Sequence, residues 1–146
     1  MSVTTEPAQQ VLERTQQAEH PFCIVCGRAN GCGLGLCFSL RDDGSVEAVF
    51  DCEARFQGYE GILHGGVTSS LMDGAMTNCL FAHGIVAVTA EMTVRFRHPI
   101  ALPAGLVVRA HIARSQAPLH IVEAEIVQDG QVRAKATGKF MEGAPS

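Results

Sequence analysis

The segment between residues 65 and 82 carries apolar side chains around most of a helix. It contains the apolar residues Val67, Leu71, Met72, Ala75, Met76, Cys79, Leu80 and Phe81. A helix without a wide polar face is normally buried. Its only acidic or basic side chain is Asp73. We therefore predict a central helix over residues 65–82 that the rest of the protein encloses.

Strands are predicted on both sides of this helix. Apolar and polar residues alternate in four later segments, which is typical of antiparallel strands with one buried face. These segments are residues 89–98, 106–114, 120–127 and 132–140. The apolar side of the first consists of Met92, Val94, Phe96 and His98. Two further strands are predicted at 34–40 and 45–51, joined by a turn at 41–44. The order of elements predicts an α+β fold in which an antiparallel sheet wraps one helix.

The first 21 residues are predicted to form a peripheral arm. Residues 6–20 resemble a short helix whose only strong apolar residues are Val11 and Leu12, and Pro21 ends it. We predict one domain over residues 22–142 and a tail over 143–146. Because a single sheet covers only one side of a helix, a second copy of the chain is expected to cover the rest.

Composition narrows the class of protein. The 146 residues fit one domain, and 47% hydrophobic against 18% charged residues excludes disorder. The net charge of −4 disfavours nucleic-acid binding, which depends on Lys and Arg. Neither a membrane-spanning apolar run nor a secretion signal is present, which predicts no membrane partner and a cytoplasmic location. The six cysteines are then expected to be thiols.

Candidate chemistry begins where the helix starts, at His64-Gly65-Gly66. Glycines let a ligand approach the backbone closely. Free N–H groups at a helix start favour negative charge, including the oxyanion that forms from a carbonyl. An equally good interpretation is that the two glycines only tighten the turn into the helix.

Asp73 is the second candidate. A carboxylate within an apolar helix costs several kcal/mol unless it is paired or protonated, so it is either a hydrogen-bonded structural group or a catalytic one. Gly65 and Asp73 are eight residues apart, or about 12 Å along the helix axis. One chain cannot bring both to the same carbonyl group. Two antiparallel helices in a dimer can, and we hypothesise an active site shared between subunits.

These segments resemble a known family. His64-Gly65-Gly66, then Leu71-Met72-Asp73, then a strand ending at Pro99, is similar to the PaaI-like group of hotdog-fold acyl-CoA thioesterases. The Cys- and Gly-rich opening at 23–38 is also similar, and the resemblance covers residues 22–141. It implies a hotdog fold, in which a sheet of about six strands wraps a long helix. It also implies a homodimer or tetramer with active sites at a subunit interface.

The resemblance implies roles for four catalytic residues. The Gly65 N–H polarises the thioester carbonyl, and Asp73 of the other subunit acts as nucleophile or as general base for water. Thr77 lies one turn beyond Asp73 and orients it or the water. Thr89 matches a strand position at which the family often carries a hydroxyl that positions water.

Substrate binding is assigned to five further residues, which are Gln57, His64, Gly66, Arg95 and Arg97. By resemblance Gln57 contacts the substrate carbonyl, while His64 shapes the loop beside Gly66. Arg95 and Arg97 suit the phosphates of CoA, because guanidinium groups match phosphate geometry. Where the family often has a polar residue after the aspartate, this chain has Gly74, which predicts extra room beside the site.

Other chemistries are less favoured. Cys23, Cys26, Cys32 and Cys37 lack the second close pair of a zinc site, so buried thiols are preferred and no metal or cofactor is predicted. Cys79 has no obvious base beside it. The main alternative is a hotdog protein that binds acyl-CoA or another ligand without turnover. A hotdog hydratase ranks last, because His64 lies at the helix start. The acyl group and the choice between dimer and tetramer stay open.

Overall fold

A six-stranded antiparallel sheet curves around one long helix in the computed structural model, which describes residues 6–143. The strands follow the order β1-β2-β4-β5-β6-β3 across the sheet. The helices are α1 (Ala8–Glu19) and α2 (Gly65–Ala82), and the strands are β1 (Ser39–Leu40), β2 (Val46–Cys52), β3 (Ala87–Phe96), β4 (Ala104–Gln116), β5 (Leu119–Gln128) and β6 (Gln131–Glu142). The predicted α+β hotdog fold is confirmed. Residues 1–5 of the predicted arm and 144–146 of the predicted tail lie outside the described residues.

The central helix α2 has the bounds that the apolar pattern predicts. Leu71 and Met72 are fully buried between the sheet and the N-terminal segment, as is most of the second half of the helix. The less buried positions lie on its first two turns and at Asp73. A partly exposed stripe therefore runs along α2 from Gly66 through Ser70 to Asp73, since positions three and four apart share a face.

Strand β1 is shorter than the predicted segment 34–40. Leu34 and Leu36 donate their N–H groups to the carbonyl oxygens of Ile24 and Val25 instead of extending the strand. These residues pair with the Cys-rich segment, so the apolar run belongs to a loop that folds over α2. Alternation cannot distinguish the two arrangements, because both leave every second side chain buried.

The helix α1 is less peripheral than its sequence predicts. Leu12 is 2% exposed and belongs to the same buried cluster as α2. Gln16 is also buried, because its carboxamide donates hydrogen bonds to the carbonyl oxygens of His20 and Cys26. Part of α2 is therefore covered by the N-terminal segment, where the sequence suggested that only a second copy would cover it.

Neither described helix is both long enough and apolar enough to cross a membrane.

Candidate active site

Asp73 and Thr89 form a direct contact between the central helix and the sheet edge. The Thr89 hydroxyl donates a hydrogen bond to Oδ1 of Asp73 over 2.6 Å. Asp73 is half-buried and Thr89 is exposed, so the carboxylate retains access to solvent. The second carboxylate oxygen has no hydrogen-bond partner within residues 6–143. The pair therefore orients one oxygen and leaves the other available for chemistry.

A β-bulge turns Thr89 toward the helix. In the pairing of β3 with β6, Thr89 lies opposite Phe140 and Glu91 opposite Lys139, so Ala90 is an extra residue. Phe140 is fully buried against α2, whereas Lys139 is exposed on the other face. Regular alternation would place Thr89 on the outer face with Glu91. Bulges often redirect a side chain beside an active site, and this one brings Thr89 to Asp73.

The N–H of Gly65 is free at the start of α2. His64 is the N-cap, and its Nδ1 accepts a 2.8 Å hydrogen bond from the Gly66 N–H. Within residues 6–143 the N–H of Gly65 has no acceptor. His64 therefore binds the N–H of Gly66, and the N–H of Gly65 points out of the helix start. Negative charge is favoured at this end of a helix. A substrate-binding role for the Gly66 N–H would require displacement of His64.

Gln57 lies in the tight turn that precedes this helix. Its Oε1 accepts a hydrogen bond from the Gly61 N–H over 3.2 Å, and its backbone pairs with Leu63. Gly61 has a φ of +78°, a conformation that glycine adopts without strain. The carboxamide oxygen of Gln57 is thus engaged, and its exposed NH₂ group is the part that could reach a ligand.

Of the other predicted site residues, one lies on the same helix as Asp73 and two lie on or just beyond strand β3. Thr77 lies one turn beyond Asp73 and is 7% exposed. Arg95 pairs with Lys135 on the outer face of the sheet, away from α2. Arg97 is exposed just beyond the end of β3. Within one chain, neither arginine lies beside the Asp73–Thr89 pair, and contact with CoA phosphates stays a prediction.

Phe96 is exposed, although the alternation of its strand predicts that it is buried. It is 57% exposed, because β3 lies at the edge of the sheet and has a neighbour on one side only. Its ring lies beside Gly65, where an added Cβ would be 3.5 Å away. An exposed aromatic side chain thus borders the free backbone donor.

Gly74 does not open a space beside Asp73, contrary to the prediction. A Cβ at this position would lie 2.5 Å from Cγ1 and 3.0 Å from Cβ of Val25. Val25 belongs to the Cys-rich segment and is 4% exposed. The Val25 side chain therefore fills the space that a side chain at position 74 would take, and it packs directly on the helix.

Substitution of Gly74 tests this packing. We expect Gly74→Val to destabilise the protein by about 1–3 kcal/mol, because the added side chain must displace Val25. Combining it with Val25→Ala should cost less than the sum of the two single changes. Urea denaturation measures each free energy of unfolding. Gly31→Val is the control, since a Cβ there meets nothing within 4 Å, and it should change stability by less than about 0.5 kcal/mol. Equal effects of the two glycine substitutions would contradict the packing role.

One group of side chains that carry possible metal ligands was not predicted from the sequence. His20, Cys23 and Cys26 place one ligand atom each within 4.8 Å of the others. Hydrogen bonding from Cys26 lowers the pKa of the Cys23 thiol, and the same contact raises the pKa of Cys26. The sequence carries the signal as His-x-x-Cys-x-x-Cys, in which His20 takes the place of the second cysteine pair of a common zinc site.

A match of part of the chain to a family model shows which family the protein belongs to. Residues 60–135, just over half of the sequence, match the model of the thioesterase superfamily. The chain belongs to the thioesterase superfamily. The match includes the helix start, Asp73 and Thr89.

Several known proteins resemble the chain over more of its length. The acyl-coenzyme A thioesterase THEM4 of Bos taurus is 24% identical over 136 residues, which are 91% of this chain and 55% of that protein. The chain thus spans about half the length of that relative. A crystallised phenylacetic acid degradation-related protein from Ralstonia eutropha is 26% identical, with a TM-score of 0.73 over 90% of this chain and 99% of that one. The PaaI protein of E. coli, at 22% identity, has a TM-score of 0.78 over 94% and 96% of the two chains and so shares the fold.

Proposed function

We propose that this superfamily member hydrolyses acyl-CoA thioesters to a free acid and CoA at a site shared between two subunits. The observation that carries the proposal is the pair of groups on α2, a carboxylate oriented by Thr89 and a free N–H at Gly65. The acyl-CoA substrate class is supported by the name of the bovine relative, an acyl-coenzyme A thioesterase. The identity of the acyl group is left to experiment.

The proposed reaction needs no group beyond these residues and water. The thioester carbonyl oxygen accepts a hydrogen bond from the Gly65 N–H, which stabilises the negative charge that develops on that oxygen. As a general base, Asp73 takes a proton from water while the oxygen of that water attacks the carbonyl carbon. The tetrahedral intermediate then breaks its C–S bond, and the CoA sulfur receives the proton. As a nucleophile, Asp73 would attack the carbon itself, so that the C–S bond breaks, CoA leaves as a thiolate and an anhydride with Asp73 forms. Water would then cleave the anhydride to the free acid and the Asp73 carboxylate, and the thiolate would take up the proton released from that water.

A second subunit is proposed because the two groups are separated along one helix. About 12 Å of helix lies between Gly65 and Asp73. The partly exposed stripe of α2 borders the edge strand β3. This strand presents Val88 and Phe96 to solvent, at 43% and 57% exposure. An exposed, partly apolar edge strand is suited to pairing with another chain. Twofold pairing there would bring each Asp73 toward the partner's Gly65.

Subunit complementation tests the shared site. One chain carries Asp73→Asn and the other Gly65→Pro, each with a different affinity tag, and mixed dimers are isolated through both tags. In a shared site, one of the two sites of a mixed dimer combines an intact Asp73 with an intact Gly65. We therefore expect about half of the wild-type activity per dimer, while each parental homodimer is nearly inactive.

The same experiment can refute the shared site. If each chain used its own Asp73 and Gly65, both sites of a mixed dimer would carry one defect. Verified mixed dimers as inactive as their parents would therefore place the site within one chain. A wild-type protein that sediments as a fully active monomer would have the same consequence.

A further inference from the structure

We propose that His20, Cys23 and Cys26 bind one Zn²⁺ ion that fastens the N-terminal segment to the central helix. One ligand atom from each residue lies within 4.8 Å of the others. In a tetrahedral zinc site, bond lengths of 2.0–2.3 Å place neighbouring ligand atoms about 3.5–3.8 Å apart. Closing the three ligands around the metal therefore requires shifts of only about 1 Å.

The backbone between the three ligands is held in place by its own hydrogen bonds. Cys23 donates its N–H to the carbonyl of His20, and Gly27 donates to the carbonyl of Cys23 over 2.8 Å. Gln16, itself buried, donates to the carbonyls of both His20 and Cys26, at 3.0 and 2.9 Å. One side chain thus clamps the two ends of the segment. A site fixed in this way loses little conformational freedom when metal binds.

Hydrogen-bond donors converge on the two sulfur atoms. Val25 directs its backbone N–H at Sγ of Cys23 over 3.4 Å. Asn78 and Gln16 direct their side-chain amides at Sγ of Cys26, over 3.4 and 3.7 Å. Such outer contacts orient and stabilise metal-bound ligands. Asn78 belongs to α2 and is 1% exposed, so the site reaches from the N-terminal segment into the helix that carries Asp73.

His20 supplies an independent indication of a missing partner. Its Nδ1 atom is buried and has no hydrogen-bond partner within the described chain. Most buried polar atoms have such a partner, and an exception calls for a water or an ion. The ring is also fixed edge-on against Phe81, with centroids 5.1 Å apart. The imidazole is therefore held close to both thiols, and its Nδ1 atom is left without a partner.

The ligand set selects the kind of metal. Two thiolates and one imidazole suit Zn²⁺, whereas Mg²⁺ and Ca²⁺ prefer oxygen ligands. Within residues 6–143 no fourth His, Cys, Asp or Glu joins the cluster. Cys23 and His20 are only half-buried, so the fourth position faces outward and can take a water molecule. The proposed metal contributes to stability, and no step of the proposed thioester chemistry uses it.

Metal analysis of the purified protein tests the proposal. After expression with added zinc and purification under reducing conditions, we expect about one Zn²⁺ per chain. Replacement by Co²⁺ should give the visible absorption bands of tetrahedral coordination with sulfur-to-metal charge transfer. Bound zinc should also protect Cys23 and Cys26 from alkylation, measured by mass spectrometry, and protection should be lost on chelation.

Variants show whether these three residues hold the metal. Cys26→Ser and His20→Ala should each lower the zinc content to less than about a tenth per chain, while Asn78→Ala should weaken binding about 10–100-fold. Cys32→Ser and Cys37→Ser are matched controls, because both cysteines are exposed and lie outside the cluster. Circular dichroism verifies folding, and the cobalt spectrum of the wild type provides evidence that needs no variant.

Three outcomes would overturn the zinc site. The first is wild-type protein with neither zinc nor a cobalt spectrum under these conditions. The second is a loss of zinc in Cys32→Ser as large as in Cys26→Ser. The third is a disulfide between Cys23 and Cys26 in the protein purified without an added oxidant, which would make the pair redox-active instead.

Discussion

Replacing Asp73 with asparagine is expected to lower kcat for acyl-CoA hydrolysis by about 10²–10⁴-fold, the usual contribution of a general base. Asparagine keeps the shape of the side chain, and its carbonyl oxygen can still accept the hydrogen bond from Thr89. It cannot take a proton from water or attack a carbonyl carbon. The loss corresponds to about 3–5 kcal/mol of transition-state stabilisation. Release of the CoA thiol, followed with a thiol reagent over aromatic, medium-chain and β-oxo acyl-CoA substrates, measures it.

A second carboxylate on the same part of the protein provides the control. Glu91 lies two residues after Thr89, but it faces outward beside Lys139, with their charged atoms 3.9 Å apart. Glu91→Gln should leave kcat within about twofold, because exposed ion pairs contribute little. Asp73→Asn with wild-type turnover would remove Asp73 from the mechanism. A wild type that binds acyl-CoA substrates but releases no thiol from any of them would favour the non-catalytic alternative.

The central helix and the order of helix and strands along the chain could be predicted because they depend on local patterns. The apolar run at 65–82 and the alternation in β4–β6 reflect burial on known faces, and the structure reproduces them. The separation of Gly65 from Asp73 follows from helix rise alone. These features need no knowledge of which other segments lie nearby.

Contacts between distant segments could not be predicted in the same way. The bulge at Ala90 depends on how β3 pairs with β6, so the orientation of Thr89 is absent from the alternation. The exposure of Phe96 depends on the position of β3 at the sheet edge. Val25 fills the space above Gly74 because the Cys-rich segment folds back over α2. Each of these outcomes is decided by tertiary packing, which a single-sequence pattern does not contain.

The backbone donor at Gly65 can be removed without breaking the helix. Proline is tolerated at the first helical position, where its missing N–H has no helical partner to lose. The residue before a proline must be extended, and His64 already has φ −60° and ψ 133°. Gly65→Pro should therefore fold and lower kcat by about 10²–10³-fold, the cost of losing one oxyanion donor. The thiol-release assay measures kcat, and circular dichroism with thermal melting verifies the fold.

Gly65→Ala separates the loss of the N–H from the effect of added bulk. Alanine keeps the donor, and its Cβ would lie 3.5 Å from the Phe96 ring, an ordinary van der Waals contact. Because a transition-state interaction affects kcat more than KM, proline should act mainly on kcat and alanine mainly on KM. If alanine and proline lowered kcat equally, space beside Phe96 would be the requirement and the N–H would have no part in the reaction. If proline left kcat unchanged, the oxyanion would have to be stabilised elsewhere, and the exposed NH₂ group of Gln57 would become the donor to test.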